Sequence, residues 1–225
     1  MILNKMFFSL FLVWLWFKYN IDIRDINYYL FLYNIKNFMI RVGINGFGRI
    51  GRLILRAILE NYKNKIKVVA INDLGSTETN AHLIKYDSTH GIINEDIKIS
   101  QDGFKIADHD IKVFAEKDPS NIPWGKVGAD VVLECTGIFL DKSSAEKHIK
   151  GGAKKVIISA PAKEVDLTIV QGVNSKELTK EHNIISNGSC TTNCLAPVAM
   201  VLEKNFGINY GYMTTIHSYT GDQKL

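Results

Sequence analysis

The chain has 225 residues, 46% of them hydrophobic and 22% charged, enough for one large or two modest globular domains with an ordinary core. Its formal net charge of +4 comes mostly from scattered lysines, with no dense Lys/Arg block interleaved with aromatics, so no nucleic-acid partner is expected. Three cysteines, Cys135, Cys190 and Cys194, are spaced neither as a secreted disulfide framework nor as a CxxC metal pair; a reducing cytoplasm is the expected compartment, and no metal site is expected.

Residues 1–38 read differently from the rest. The apolar run 6–17, MFFSLFLVWLWF, is 12 residues long, short of the roughly 18–20 that cross a bilayer as a helix, so no membrane span is expected. Lys5 ahead of it fits a signal peptide, but no small-residue cleavage site follows in the expected place. A globular pattern begins cleanly at Met39, and the segment before it reads as a start-site or poorly ordered extension.

From residue 40 a short apolar strand runs into a glycine turn and then a helical stripe at Ile50, Leu53, Ile54, Ala57 and Ile58, whose spacings of three and four define one buried face. Gly46-x-Gly48-x-x-Gly51 sits at the junction with Asn45 before it. In a Rossmann fold these glycines permit a tight turn, let backbone amides reach a pyrophosphate, and allow close helix–strand packing. The same spacing also occurs in plain turns, so the context decides. A second strand over 67–72 ends at Asp73, 27 residues beyond Gly46, near the distance of about 20 expected for the acid that bonds a ribose. A carboxylate there accepts from ribose hydroxyls and repels a 2′-phosphate, which favours NAD over NADP; the competing reading is a cap of the following turn.

The segments 97–106 and 111–114 alternate apolar and polar around Asp102-Gly103, a hairpin signal that predicts a mixed sheet. Apolar runs over 130–135 and 155–159 read as buried parallel strands, with a helix between them stopped by Gly151-Gly152. Thr136, Gly137 and Ser159 then lie at carboxyl ends of strands, where an open α/β sheet binds its ligand. Cys135 reads as a core residue.

Another strand over 183–186 leads through Asn187-Gly188 into a helix with a buried stripe at Leu195, Val198, Ala199, Leu202 and Phe206, ending at Gly207. Ser189 is its N-cap and Cys190 falls on the first turn, where the free amides and positive helix end favour thiolate. The base that nucleophilic catalysis needs is found in His217, closing an apolar strand, YMTTIHSYTG. The other five histidines, His82, His90, His109, His148 and His182, read as solvated. The residues alone leave a Cys190/His217 pair and a buried structural cysteine both open. Cys194, one turn on, reads as packing at the edge of the stripe.

INGFGRIGR at 44–52, KYDSTHG at 85–91, SNGSCTTNCLAP at 186–197 and TTIHSYTGDQ at 214–223 together closely resemble the phosphorylating glyceraldehyde-3-phosphate dehydrogenases, over residues 39–225. The resemblance implies an α/β fold: a Rossmann-type doubly wound, mostly parallel sheet over 39–189 that binds NAD, then at 190–225 the start of an incomplete α+β catalytic domain. It implies Cys190 as nucleophile and His217 as base, Ser189, Thr191 and Thr220 as binders of substrate and phosphate, and Arg49, Ile50, Asp73, Lys117 and Ser159 as NAD contacts. The activity it implies is NAD-dependent oxidation of glyceraldehyde 3-phosphate with inorganic phosphate to an acyl phosphate, by a homotetramer, in glycolysis and its reverse.

Members of ordinary two-domain size run roughly a hundred residues further, and the resemblance places a second substrate arginine and most of the catalytic sheet there. Three readings follow: an incompletely recorded dehydrogenase, a remnant that at most binds NAD, and a relative acting on erythrose 4-phosphate. Tetramer formation is open in the same way. Semialdehyde dehydrogenases are the runner-up family, and SCTTNC with HSYTGDQ argues against them.

Overall fold

The computed structural model describes residues 39–220; the expected extension 1–38 and the end of the TTIHSYTGDQ motif lie outside them. Strand β1 (Ile40–Asn45) is followed by helix α1 (Arg49–Asn61) and strand β2 (Ile66–Asn72), which pairs parallel to β1. Helix α2 (Thr77–Lys85) then leads into a two-stranded ribbon, β3 (Tyr86–Asp87) with β4 (Gly91–Ile92). Strands β5 (Ile97–Ser100) and β6 (Gly103–Ile106) form the expected hairpin, turning at Gln101 and Asp102. Strand β7 (His109–Phe114) pairs antiparallel with β6 and parallel with β2, so the sheet is mixed.

The chain next crosses to the other side of β1. The short helix α3 (Trp124–Val127) precedes β8 (Val131–Glu134), and α4 (Lys142–Lys150) connects it to β9 (Lys155–Ile158). Strands β10 (Leu167–Thr168) and β11 (Ile184–Ser186) complete one side, and α5 (Cys190–Phe206) follows. The nine-stranded order is β10-β11-β9-β8-β1-β2-β7-β6-β5, with β1 and β8 adjacent and parallel. Successive units wind first to one side of β1 and then to the other, so the switch point of this doubly wound sheet lies between the carboxyl ends of β1 and β8.

Burial explains why these segments are strands. β8 is buried along its whole length, as a parallel strand covered on both faces must be. On one face Val42, Ile44, Val131, Leu133 and Ile157 pack with the α1 residues Leu53, Ile54 and Ile58; on the other, Val132 lies with Trp124 and Ala153, while Val156 and Ile158 lie with Ala145 of α4. Alternate residues of one strand thus serve two cores.

Four expectations are corrected. The stripe Leu195, Val198, Ala199, Leu202 and Phe206 does lie on a helix, but among the described residues it is not covered: Ala199 is only half-buried, the other four are exposed, and Phe206 is 83% exposed. Cys194, expected to pack at the edge of that stripe, is exposed as well. The segment expected as a strand ending at His217 has no ladder partner among the described residues and so is not a strand there. Finally, His109 and His148 are fully buried rather than solvated. His109 opens β7 and its Nδ1 accepts the amide of Val68 at 3.1 Å, while His148 sits on the inner face of α4, three residues after Ala145.

Candidate active site

The first glycine turn is closed by contacts only glycine allows. Gly46 has φ +87°, and a Cβ there would stand 2.8 Å from the Thr136 nitrogen; a Cβ on Gly51 would lie 2.2 Å from the Gly46 carbonyl oxygen. Over Gly48, by contrast, a Cβ would meet nothing within 4 Å, leaving the start of α1 open. Gly48 is the N-cap, with no side-chain cap and no acidic residue in the first turn, so the amides of Arg49, Ile50 and Gly51 keep their donors for an anion. The Arg49 side chain points elsewhere, to an ion pair with Asp87 that fastens the β3–β4 ribbon to α1.

Asp73, half-buried at the end of β2, accepts the Phe47 amide at 2.9 Å through Oδ2 and the Gly75 amide at 2.8 Å through Oδ1. It both caps the following turn and joins that turn to the glycine loop, and each oxygen retains a lone pair for a hydroxyl. Thr136 and Gly137 follow β8 and Ser159 follows β9, with the Ser159 amide bonded to the Glu134 carbonyl at 3.0 Å. Lys117 is exposed on the loop after β7, and Asn72 holds the preceding residue, Glu116, by a pair of hydrogen bonds at 2.8 and 2.9 Å. Asn45 is placed differently from an open cofactor contact: it is buried and its side chain is engaged by Glu134 and Asn72.

Cys190 begins α5. Ser189 caps the helix, its Oγ accepting the Thr192 amide at 2.9 Å, and the Asn193 side chain donates back to the Asn187 and Ser189 carbonyls at 2.7 and 2.9 Å. The Cys190 Sγ lies 3.1 Å from His217 Nε2. His217 Nδ1 is 2.6 Å from the Ser218 carbonyl, which can only accept, so Nδ1 carries the hydrogen and Nε2 faces the sulfur. The hydrogen bond to His217 and then the Thr191 amide and hydroxyl hold the Cys190 thiol below its ordinary range, although partial burial opposes them. The Ser218 carbonyl and then the Cys190 sulfur raise His217. Shifts in these opposite directions favour thiolate beside imidazolium. Cys135 differs: it packs against the core, and burial, with the Glu134 charge adding to it, pushes its thiol up to about 12.

Residues 40–142 match the family model described as glyceraldehyde 3-phosphate dehydrogenase, NAD binding domain, and residues 189–225 match the one described as glyceraldehyde 3-phosphate dehydrogenase, C-terminal domain. The chain belongs to the glyceraldehyde 3-phosphate dehydrogenase family. It is 56% identical over 187 residues to glyceraldehyde-3-phosphate dehydrogenase of Streptomyces coelicolor, covering 83% of this chain and 55% of that protein. With the enzyme of Xanthobacter flavus it shares 54% over 184 residues, 82% of this chain and 55% of the other; with that of Geobacillus stearothermophilus, 54% over 187 residues, 83% and 55%. The chain thus spans about half the length of the curated relatives it matches.

Within this family member the sheet runs on past the NAD-binding match, through β9, β11 and β10. Among the described residues no helix is long and apolar enough to cross a membrane. The sequence reading missed the buried polar group under the switch point, where Asn45, Asn72, Glu134 and His148 meet. Two signals mark it in the sequence: a glutamate ending an otherwise continuous apolar strand, and a histidine on the apolar side of α4.

Proposed function

We propose that this chain supplies the NAD-binding and nucleophilic parts of a phosphorylating glyceraldehyde-3-phosphate dehydrogenase, making 1,3-bisphosphoglycerate in the cytoplasm within glycolysis and its reverse. The observation that carries the reading is the 3.1 Å contact of Cys190 Sγ with His217 Nε2 at a helix start. The cradle fits NAD. The amides opening α1 suit the pyrophosphate, Asp73 has acceptors for ribose hydroxyls, and Thr136 and Ser159 stand at the strand ends beside it.

His217 Nε2 takes the thiol proton, the Cys190 thiolate attacks the aldehyde carbon, and as the C–S bond forms His217 returns that proton to the carbonyl oxygen. NAD, when bound, supplies the acceptor for the hydride that leaves this carbon. His217 removes the hydroxyl proton, leaving a thioester on Cys190. A phosphate oxygen then attacks the thioester carbon, the C–S bond breaks and the thiolate returns. Thr191 and Thr220 carry hydroxyls beside Cys190 and His217 in the sequence, and these suit the anionic oxygens of substrate and phosphate; the Ser189 hydroxyl acts chiefly as the helix cap.

The test is incubation of the whole chain with NAD and either glyceraldehyde 3-phosphate or erythrose 4-phosphate, first without phosphate and then with it, following NAD reduction and the mass of Cys190-containing peptides. Acylation of Cys190 with NAD reduction supports the reading, and the faster aldehyde identifies the substrate. The bare surface of α5 favours one alternative, a form that binds NAD without turnover. A folded chain that binds NAD but is never acylated would establish it.

A further inference from the structure

Glu134 ends β8 with its side chain fully buried, yet four donors surround its carboxylate. Its Oε1 accepts the Thr136 amide at 2.7 Å and the Thr136 hydroxyl; its Oε2 accepts Asn45 Nδ2 at 2.6 Å and contacts His148 Nε2 at 2.9 Å. The histidine's orientation is fixed from behind. Trp124 Nε1, 3.1 Å from His148 Nδ1, can only donate, so Nδ1 accepts and the hydrogen on Nε2 points at Glu134. Asn45 Oδ1 in turn accepts from Asn72 Nδ2 at 2.8 Å, and the other hydrogen of that amide goes to the Glu116 carbonyl at 2.9 Å. Every hydrogen in this chain has one direction. It runs beneath the glycine turn after β1, the Thr136 turn after β8 and the loop bearing Lys117, the three backbone segments that border the switch point.

We propose that Glu134, held by His148 and Trp124, is a positioning residue for the dinucleotide: its carboxylate fixes the Thr136 turn and the end of β1 against each other at the mouth of the crevice. It touches no ligand itself. The proposal rests on the reading of this crevice as an NAD site, and it explains why a charged side chain ends an apolar strand in the core. A carboxylate is required because only an acceptor on both oxygens answers four donors. A glutamine would aim its N–H groups at two of them, and His148 could not invert to compensate while the Trp124 indole occupies Nδ1. A half-satisfied buried network is poorly held.

The experiment measures NAD affinity calorimetrically for the whole chain and for Glu134→Gln, His148→Leu, His148→Gln and His109→Gln, each at a temperature where circular dichroism shows it folded. Glu134→Gln and His148→Leu are expected to weaken NAD binding by about tenfold or more, the loss typical of a hydrogen bond to a charged group. His148→Gln is expected to stay within about threefold of the parent, because its amide can accept from Trp124 and donate to Glu134. His109→Gln, buried but far along the sheet at the β6–β7 turn, is expected to lower the melting temperature and leave NAD affinity unchanged. If Glu134→Gln does not fold, the two His148 variants carry the comparison. Equal NAD affinity in all folded variants overturns the proposal while leaving the NAD site intact; a folded parent chain that binds no NAD overturns the site reading and the proposal with it.

Discussion

At the scale of single residues, three cysteines of one sequence have three chemistries. Cys190 has an imidazole and a threonine amide and hydroxyl beside it and is held below the ordinary thiol range; Cys135, with burial and Glu134 against it, is pushed up to about 12; Cys194 stands exposed on α5. Alkylation of Cys190 is therefore expected to proceed at pH values where a free thiol, with pKa about 8.5, is largely protonated. The rate should level off once the lowered midpoint is passed. His217→Asn removes the largest cause of that lowering, so the midpoint should move up and the rate near pH 7 should fall about tenfold, read by mass spectrometry of the labelled peptide. Cys135 should remain unlabelled until the chain unfolds. The helix start at Cys190 was legible in the sequence because its cause is local: a serine cap stands next to it. The partner nitrogen of His217 was not, because Ser218 and Cys190 fix it from two places 28 residues apart in the chain.

At the scale of elements, α1 and α5 are both amphipathic by sequence, but among the described residues it is α1 whose apolar face is covered. α1 buries Leu53, Ile54, Leu55 and Ile58 against the sheet, whereas α5 has no fully buried residue and carries Pro197, which cannot donate to the Asn193 carbonyl. A helix without tertiary support is marginal in water. Hydrogen exchange should accordingly show slow amides in β1 and β8 and fast ones in α5 beyond its first turn, which the Ser189 cap and Asn193 tie down. Ser189→Ala should loosen that first turn at a cost of about 1 kcal/mol, seen as faster exchange at Thr192 and slower alkylation of Cys190. In the glycine turn, Gly51→Ala would drive a methyl against the Gly46 carbonyl, 2.2 Å away. A loss of about 1–3 kcal/mol is expected in urea unfolding, since overpacking displaces backbone that has nowhere to go. Periodicity located both helices, and it could not report whether a surface faces them.

Over the whole molecule, the sheet's flanks are tied by depressed carboxylates. Burial alone would raise Asp166, yet Lys142 and the amides of Ile184 and Asn183 together outweigh it; burial is likewise overcome at Asp130 by Lys154 and Arg41. Asp87 is also depressed, with the amides of His90 and Thr89 and the Arg49 charge overcoming its burial. Each binds its proton less readily folded than unfolded, so the stability it contributes is present above the usual carboxylate value of about 3.9 and is lost as pH falls through the lower folded value. Urea midpoints should fall between about pH 4 and pH 2, and Asp166→Asn should flatten that dependence. What the sequence by itself determined was whatever neighbours in the chain can encode: the glycine turn, strand and helix order, the hairpin, the capped cysteine and the family motifs. Only the tertiary structure decided that His148 and Glu134 form one buried pair, that His109 is buried at the start of β7, and that the apolar stripe of α5 is not covered by the described residues. Burial is a property of what comes to lie across from a residue, and in a doubly wound sheet that neighbour arrives from the far side of a crossover.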